Sequence, residues 1–142
     1  SGMQTLRQIE FALFDLSIHK HNPALNAAQV QATLDDIRQK YAVAPTASYN
    51  RFQHSFSHIF AGGYAAGYYS YKWAEVLASD AFDRFEKEGV FNTQTGKEFR
   101  QFILAVGGKD TALDAFINFR GREPKIDALL RHQGWTNASK NT

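Results

Sequence analysis

Residues 56–73 read FSHIFAGGYAAGYYSYKW and combine one histidine, a glycine pair and four tyrosines. Three of the tyrosines, Tyr64, Tyr68 and Tyr71, recur at i, i+4 and i+7, which places them on one face of an α-helix. A buried helical stripe is normally built from Leu, Ile and Phe, because a buried phenol needs a hydrogen-bond partner. The segment therefore predicts a helical surface of convergent hydroxyl groups, next to a flexible turn, that is suited to a polar ligand.

The spacing of apolar residues predicts two helices before this segment. The first covers Thr5–His19 and carries apolar side chains on more than one side, which predicts burial. Asn22–Pro23 ends it, and Asn26 is a suitable N-cap for the second helix. The apolar positions of this amphipathic second helix are Val30, Leu34, Ile37 and Tyr41. Residues 42–50 contain proline, threonine and serine and predict a loop.

Four helices are predicted from the tyrosine segment onward. The longest is predicted from about Tyr64 to Glu88, where Gly89 supplies a C-terminal stop. The predicted starts of the three shorter helices are Thr95 (a capping box with Glu98), Asp110 and Pro124, and their predicted stops are Gly107–Gly108, Gly121 and Gly134. No strand or internal repeat is evident. The sequence therefore predicts an all-α fold, a multi-helix array.

Composition limits the classes of function. The 142 residues have the size of one domain and include no cysteine, which favours a reducing, cytoplasmic setting. The 16 basic and 14 acidic residues are spread along the chain, so no nucleic-acid partner is expected. No apolar run approaches the roughly 20 residues that span a bilayer, and no signal peptide is evident, so no membrane partner is expected. We expect residues 1–2 to be a tag remnant, 3–135 the folded part and 136–142 a disordered tail.

The segment FSHIFAGGYAAGYYSYKW resembles the glycine–tyrosine segment of the thimet oligopeptidase and oligopeptidase A family of zinc metallopeptidases. Flanking segments agree with that family: LRQIEFALFDLSIH, YNRF, WAEVLASDAFDRFEKEGVFN and FRGREPKIDALLRHQGW. The similarity covers roughly Met3 to Trp135 and is greatest to the bacterial oligopeptidase A branch. The resemblance implies that the helices form the C-terminal lobe of a zincin-type oligopeptidase channel, one wall of a deep passage for short peptide substrates.

The resemblance also implies a zinc site that this sequence does not contain. The family uses an HExxH helix with two zinc-binding histidines and a glutamate base, and a further glutamate ligand downstream. None of the five histidines here is followed by glutamate. The resemblance thus implies zinc in the full-length enzyme, none bound by this chain, and the upstream half of the catalytic domain as a partner. We expect the chain alone to be inactive, whether it is an excised fragment or a naturally truncated relative.

The resemblance assigns roles within the segment. Tyr71 is implied to hydrogen-bond the tetrahedral intermediate, and Tyr64 to reach the substrate backbone or the same oxyanion. Tyrosine suits this task because its phenol is a neutral donor with a pKa near 10 in model peptides. His58 and Tyr68 are implied to contact the substrate, and Gly62–Gly63 to belong to a mobile loop that closes over it.

Some residues have a second interpretation. His54 and His58 are four residues apart and could share an ion, but no third ligand with suitable spacing is evident, so we expect no metal site and a packing or surface role for His54. The tyrosines could be packing residues, as aromatic stripes mostly are. Tyr69 and Trp73 lie on the opposite side of the predicted helix and are expected in the core. Arg120 and Arg122 are expected to be structural, with a substrate-carboxylate role as the alternative.

A function of a different class remains open at this stage. The chain could be a free-standing, non-catalytic peptide-binding module, or a partner that completes another chain's active site. Its first helix would then need a partner or dimer interface to cover Phe11, Phe14 and Ile18, because a helix that is apolar on several sides is poorly accommodated in a small domain. Concentration-dependent sedimentation would favour this alternative.

Overall fold

The computed structural model describes residues 1–21 and 23–136, and within them the chain forms helices and no β-strand. The α-helices are α1 (Gly2–His19), α2 (Ala27–Tyr41), α3 (Ser57–Phe60), α4 (Ser70–Glu88), α5 (Thr93–Phe99), α6 (Ala112–Arg120) and α7 (Asp127–His132). A 3₁₀ turn covers Phe52–His54, and a π-helical turn, Arg100–Leu104, follows α5. The predicted all-α class is confirmed. The expected tail, 136–142, lies outside the described residues except for Thr136.

The chain divides into two compact units, one from Ser1 to Lys72 and the other from Trp73 onward. In the N-terminal unit, α1 packs against α2. The buried core of this unit consists of Phe11, Phe14, Leu34, Ile37, Phe56, Ile59 and Tyr68. Phe14 is fully buried and Ile18 is partly buried against the same core, so the apolar excess of α1 is covered to a large extent within the unit itself.

Helix α2 begins where the sequence predicts. The Asn26 side chain accepts a hydrogen bond from the backbone N–H of Gln29 at 2.9 Å, and the Gln29 side chain accepts one from the backbone N–H of Asn26 at 2.9 Å. These reciprocal bonds satisfy donors that a helix start leaves without intrahelical partners. A largely buried ion pair, Arg38 to Glu10 at 2.9 Å, then ties α2 to α1.

The predicted start of the longest helix is wrong. Helix α4 begins at Ser70, and residues 65–69 form turns, so Tyr64, Tyr68 and Tyr71 do not share a helical face. Ala66 has φ +55°, a left-handed conformation that interrupts a helix. The backbone N–H groups of Ala66 and Tyr68 donate to the side chain of Asp15, so the backbone in this stretch is bonded to α1.

The C-terminal unit has its own apolar core. Ala81, Phe116 and Phe119 are buried there, and partly buried Leu77, Phe85, Phe99, Phe102 and Ile103 pack against them. Asp80 and Asp83 are buried on α4 and accept hydrogen bonds from arginines. Arg120 and Arg122 both bond Asp80, at 3.0 and 2.6 Å respectively. Both arginines therefore have structural partners within this unit.

Three predicted helix starts in this unit are wrong, whereas the predicted stops at Gly89, directly after α4, and at Gly121 are right. The N-cap of α5 is Asn92, whose side chain accepts from the N–H groups of Gln94 and Thr95, because asparagine already provides a cap before Thr95. Thr111 caps α6 in place of Asp110, through the N–H of Asp114 at 3.1 Å. The last helix begins at Asp127, three residues after Pro124. Gly121 ends α6 in the left-handed conformation, at φ +71°, as predicted.

Tyr69 and Trp73 also differ from the prediction. Tyr69 is 50% exposed and Trp73 is 47% exposed, so neither is a core residue here. Their expected core position assumed one continuous helix from Tyr64, and the turn before Ser70 removes that assumption. In the described part of the chain, no helix is long and apolar enough to cross a bilayer.

Candidate functional site

Four aromatic rings of the N-terminal unit form a closed circuit, which we call the four-ring cluster: His58, Tyr64, Tyr68 and Tyr71. Ring centroids lie 6.2 Å apart for His58 and Tyr64, and 5.0 Å apart for Tyr64 and Tyr71. The circuit closes through Tyr71 to Tyr68 at 5.1 Å and Tyr68 to His58 at 5.9 Å. The predicted convergence of these side chains is therefore present, although turns produce it and not a single helical face.

The glycine pair brings His58 and Tyr64 together. A Cβ atom on Gly62 would lie 2.8 Å from the Cα and 2.9 Å from the carbonyl oxygen of His58, which is closer than a side chain tolerates. Gly63 has φ +77°, a left-handed value that glycine adopts readily. After this turn, the N–H of Tyr64 donates to the carbonyl oxygen of His58 at 3.0 Å. The chain thus folds back on the end of α3 and places the two rings side by side.

The four rings differ in exposure. His58 is exposed, and Tyr64 and Tyr71 are 37% and 41% exposed. Tyr68 is buried, and its hydroxyl donates to the side-chain oxygen of Gln8 at 3.0 Å. Burial raises the pKa of the Tyr68 phenol. A hydrogen bond from Tyr68 to any ligand would have to compete with Gln8, whereas His58, Tyr64 and Tyr71 present polar groups at the surface of the chain.

The Tyr64 and Tyr71 phenols are electrostatically linked. A side-chain hydrogen bond with Tyr64 is the main cause that raises the pKa of Tyr71 above its ordinary value of 10.0. A phenol with a raised pKa stays protonated at neutral pH and remains a hydrogen-bond donor. One of the two O–H groups is used in the bond between the phenols, so the pair can offer one further O–H group to a carbonyl or anionic oxygen.

A buried aspartate that the sequence analysis missed holds this segment in place. Asp15 is fully buried on α1; its Oδ1 accepts from the N–H of Ala66 at 2.8 Å, and its Oδ2 accepts from the N–H of Tyr68 at 2.9 Å. His19 Nδ1 lies 2.8 Å from the same Oδ1. One signal could have identified it: an acidic residue directly after Phe14 in an otherwise apolar stretch of a helix predicted to be buried.

The described residues do not fit a zinc site. Among residues 1–21 and 23–136, no three His, Cys, Asp or Glu side chains come together in a way that could hold a metal ion. His54 ends the 3₁₀ turn and His58 lies in α3, so they do not share the helix that an i, i+4 metal pair would need.

Comparison with known proteins gives one family. The family model described as peptidase family M3 matches residues 1–135. Oligopeptidase A of Escherichia coli (strain K12) is 55% identical over 129 residues, which are 91% of this chain and 19% of that protein. Probable cytosolic oligopeptidase A of Arabidopsis thaliana is 48% identical over 143 residues, covering 98% of this chain and 20% of that protein.

A more distant relative shows the same pattern. Saccharolysin of Saccharomyces cerevisiae is 35% identical over 134 residues, covering 94% of this chain and 19% of that protein. The chain thus spans about a fifth of the length of the relatives it matches.

Proposed function

Because this chain belongs to peptidase family M3, we propose that its four-ring cluster binds substrate and stabilises the transition state in a zinc metalloendopeptidase that cleaves short peptides. One observation carries the proposal: two partly exposed, hydrogen-bonded phenols, Tyr64 and Tyr71, stand beside the exposed imidazole of His58. Attack on a peptide carbonyl develops negative charge on its oxygen, and neutral donors that are already in place stabilise this charge.

Each residue of the cluster has a role in this proposal. Tyr71 donates to the oxyanion, and Tyr64 donates to the same oxygen or to the substrate backbone. His58 contacts the substrate near the cleaved bond. Tyr68 lies between them, packs against both His58 and Tyr71, and reaches substrate only where its bond to Gln8 yields. Gly62–Gly63 form the turn that closes over the peptide, since the pair combines close backbone approach with a left-handed conformation.

The metal and the general base belong, in this proposal, to residues outside these 142. The described residues do not fit a zinc site, so the chain supplies binding and donor groups and needs the upstream half of a catalytic domain as its partner. The chain alone is then inactive. A cytoplasmic location is part of the same proposal and is supported by the absence of cysteine.

The non-catalytic alternative, a free-standing peptide-binding module or partner of another chain, uses the same cluster. This alternative requires a partner or dimer interface to cover the apolar residues of α1. The N-terminal unit itself buries Phe11 and Phe14 and partly buries Ile18, so this requirement is largely met without a partner. The family membership therefore supports the peptidase proposal over the alternative.

The direct test is Tyr71→Phe in the complete native protein that carries this sequence, assayed with a short peptide and zinc. Losing one oxyanion donor typically lowers kcat by about 10²- to 10³-fold, so we expect a loss of this order with KM changed only slightly. Tyr69→Phe is the matched control. It also removes one phenolic hydroxyl, two residues from Tyr71, but the Tyr69 side chain does not belong to the four-ring cluster. An unchanged kcat for Tyr71→Phe would refute the proposal.

A further inference from the structure

We propose that Asp15, oriented by His19, is the positioning residue of the four-ring cluster: it fixes the turn at residues 65–69 and so sets the distance between Tyr64 and Tyr71. The inference rests on the proposed function and adds to it a residue of α1, more than 50 positions away in sequence from the turn it holds, since Asp15 and Ala66 are 51 residues apart. Asp15 touches none of the proposed reacting groups and acts through the backbone of the turn.

The hydrogen bonds support a positioning role. Each carboxylate oxygen of Asp15 accepts one backbone N–H, from Ala66 at 2.8 Å and from Tyr68 at 2.9 Å. The two donors flank a single residue, so both ends of this short stretch are bound to one rigid helical side chain. A buried carboxyl group is costly unless it is hydrogen-bonded, and these bonds compensate that cost only in this backbone conformation. The interaction therefore selects this turn over a continued helix.

The backbone strain at Ala66 also supports a positioning role for Asp15. Ala66 has φ +55°, an unfavourable conformation for a residue with a Cβ atom, which persists only where the surroundings enforce it. Its N–H is one of the two groups that Asp15 binds. The strained residue lies between Tyr64 and Tyr68, so relaxing it would rotate the two rings relative to each other. Strain that is held by a buried, long-range contact is typical of functional turns.

His19 orients the carboxylate. Its Nδ1 lies 2.8 Å from Oδ1 of Asp15 and 2.9 Å from the carbonyl oxygen of the same residue, so one protonated ring nitrogen bridges both. It is the third contact of the Asp15 carboxylate, after the N–H groups of Ala66 and Tyr68. The His19 side chain is 27% exposed, and Asp15 is fully buried, which makes His19 the more tolerant position for substitution. A glutamine there keeps an amide donor four residues from the aspartate, and a leucine removes it.

The experiment is a double-mutant cycle in the complete native protein, with a short peptide substrate. We expect Asp15→Asn to lower kcat roughly 10- to 100-fold with little change in KM, because small misplacement of a catalytic donor has effects of this size. In a Tyr71→Phe background the same substitution should cost little more, since the donor it positions is already absent. Asp35→Asn, an exposed aspartate on α2, is the charge-matched control and should change neither constant.

Each outcome decides the inference. If the effects of Asp15→Asn and Tyr71→Phe on kcat multiply, Asp15 contributes only to folding. This result would overturn the inference and leave the proposed function intact. A Tyr71→Phe variant with full kcat would refute the proposed function. In that case, a ¹³C NMR titration of the tyrosine ring carbons in Asp15→Asn shows whether Asp15 still positions the cluster. A Tyr71 pKa equal to that of the parent protein would overturn the inference as well.

If Asp15→Asn does not fold, His19 supplies the second test. We expect His19→Leu to lower kcat and His19→Gln to recover most of the loss, because only glutamine retains a donor towards Asp15. Equal kcat values for the two variants, in folded proteins, would overturn the inference.

Discussion

The ring centroids of Tyr64 and Tyr71 lie 5.0 Å apart although only Tyr71 belongs to a helix. On an ideal helix a spacing of seven residues would put both rings on one face but about 10 Å apart along the axis. Here the strained turn between them, which is bonded to Asp15, accompanies the closer approach. A turn that is bound by a side chain of another helix can change its geometry without a change in the helix that follows it. The relationship between the two phenols is therefore a property of tertiary structure and can be tested by substitution at either ring.

Removing the Tyr64 hydroxyl should lower the pKa of Tyr71. The hydrogen bond with Tyr64 is the largest cause of the raised Tyr71 pKa, and it favours the protonated phenol. In Tyr64→Phe this bond is lost, so we expect the pKa of Tyr71 to fall towards its ordinary value of about 10. A ¹³C NMR titration of the tyrosine ring carbons between neutral pH and strong base measures the change. Tyr69→Phe should leave the Tyr71 pKa where it is, and an equal fall in both variants would contradict the assignment.

Some local signals of the sequence predicted the ends of helices correctly. Asn26 caps α2, and Gly121 ends α6 in a left-handed conformation, because both features depend on residues within a few positions. The tyrosine segment failed for a non-local reason. Its helical spacing is genuine, but Asp15 binds the backbone N–H groups of Ala66 and Tyr68 from a distant helix. No periodicity within residues 56–73 carries that information.

The proximity of the candidate residues was anticipated, but its geometric basis was not. The segment placed three tyrosines together and the resemblance added His58, and the structure brings the four rings together. Their roles in a site stay a prediction. The roles proposed for the four side chains depend on their burial, which residue spacing does not predict. Tyr68 is buried against Gln8, and the other three side chains are exposed.

Acid should destabilise the C-terminal unit through Asp80. Burial alone would raise the pKa of this carboxyl group, but hydrogen bonds from Arg122 and from the backbone of Lys125 outweigh it and lower the pKa below its ordinary value of 3.8. A carboxyl group whose pKa is lowered on folding contributes stability above its unfolded pKa, and this contribution is lost as pH falls through the folded pKa. We therefore expect stability to hold from pH 7 to about 5 and then to decline.

Asp80→Asn isolates this contribution. The variant should be less stable than the parent at pH 7, because it removes the ionised partner of Arg122 and leaves Arg120 with Asp83 alone. The difference should shrink below about pH 4. Urea unfolding at a series of pH values measures both quantities. Asp35→Asn serves as an exposed control with no such effect. A stability difference that stays constant down to pH 3 would contradict the assignment to Asp80.

Adding one methyl group at Gly62 should damage the turn, and adding one at Gly96 should not. In Gly62→Ala the new Cβ would lie 2.8 Å from the Cα of His58, so the backbone must move, and overpacking of this kind costs about 1–3 kcal/mol. Gly96 lies within α5 and a Cβ there meets nothing within 4 Å, so Gly96→Ala should stabilise the protein by about 0.5–1 kcal/mol through reduced freedom of the unfolded chain.

Urea unfolding separates the two glycine variants, and NMR contacts between the His58 and Tyr64 rings report the turn itself. We expect these ring contacts to weaken in Gly62→Ala and to persist in Gly96→Ala, because only Gly62 lies against the backbone of His58. Equal stability of the two variants would mean that the close approach at Gly62 is relieved at no cost. The glycine pair would then matter for motion of the turn alone, and kcat for a bound peptide would be the property to compare.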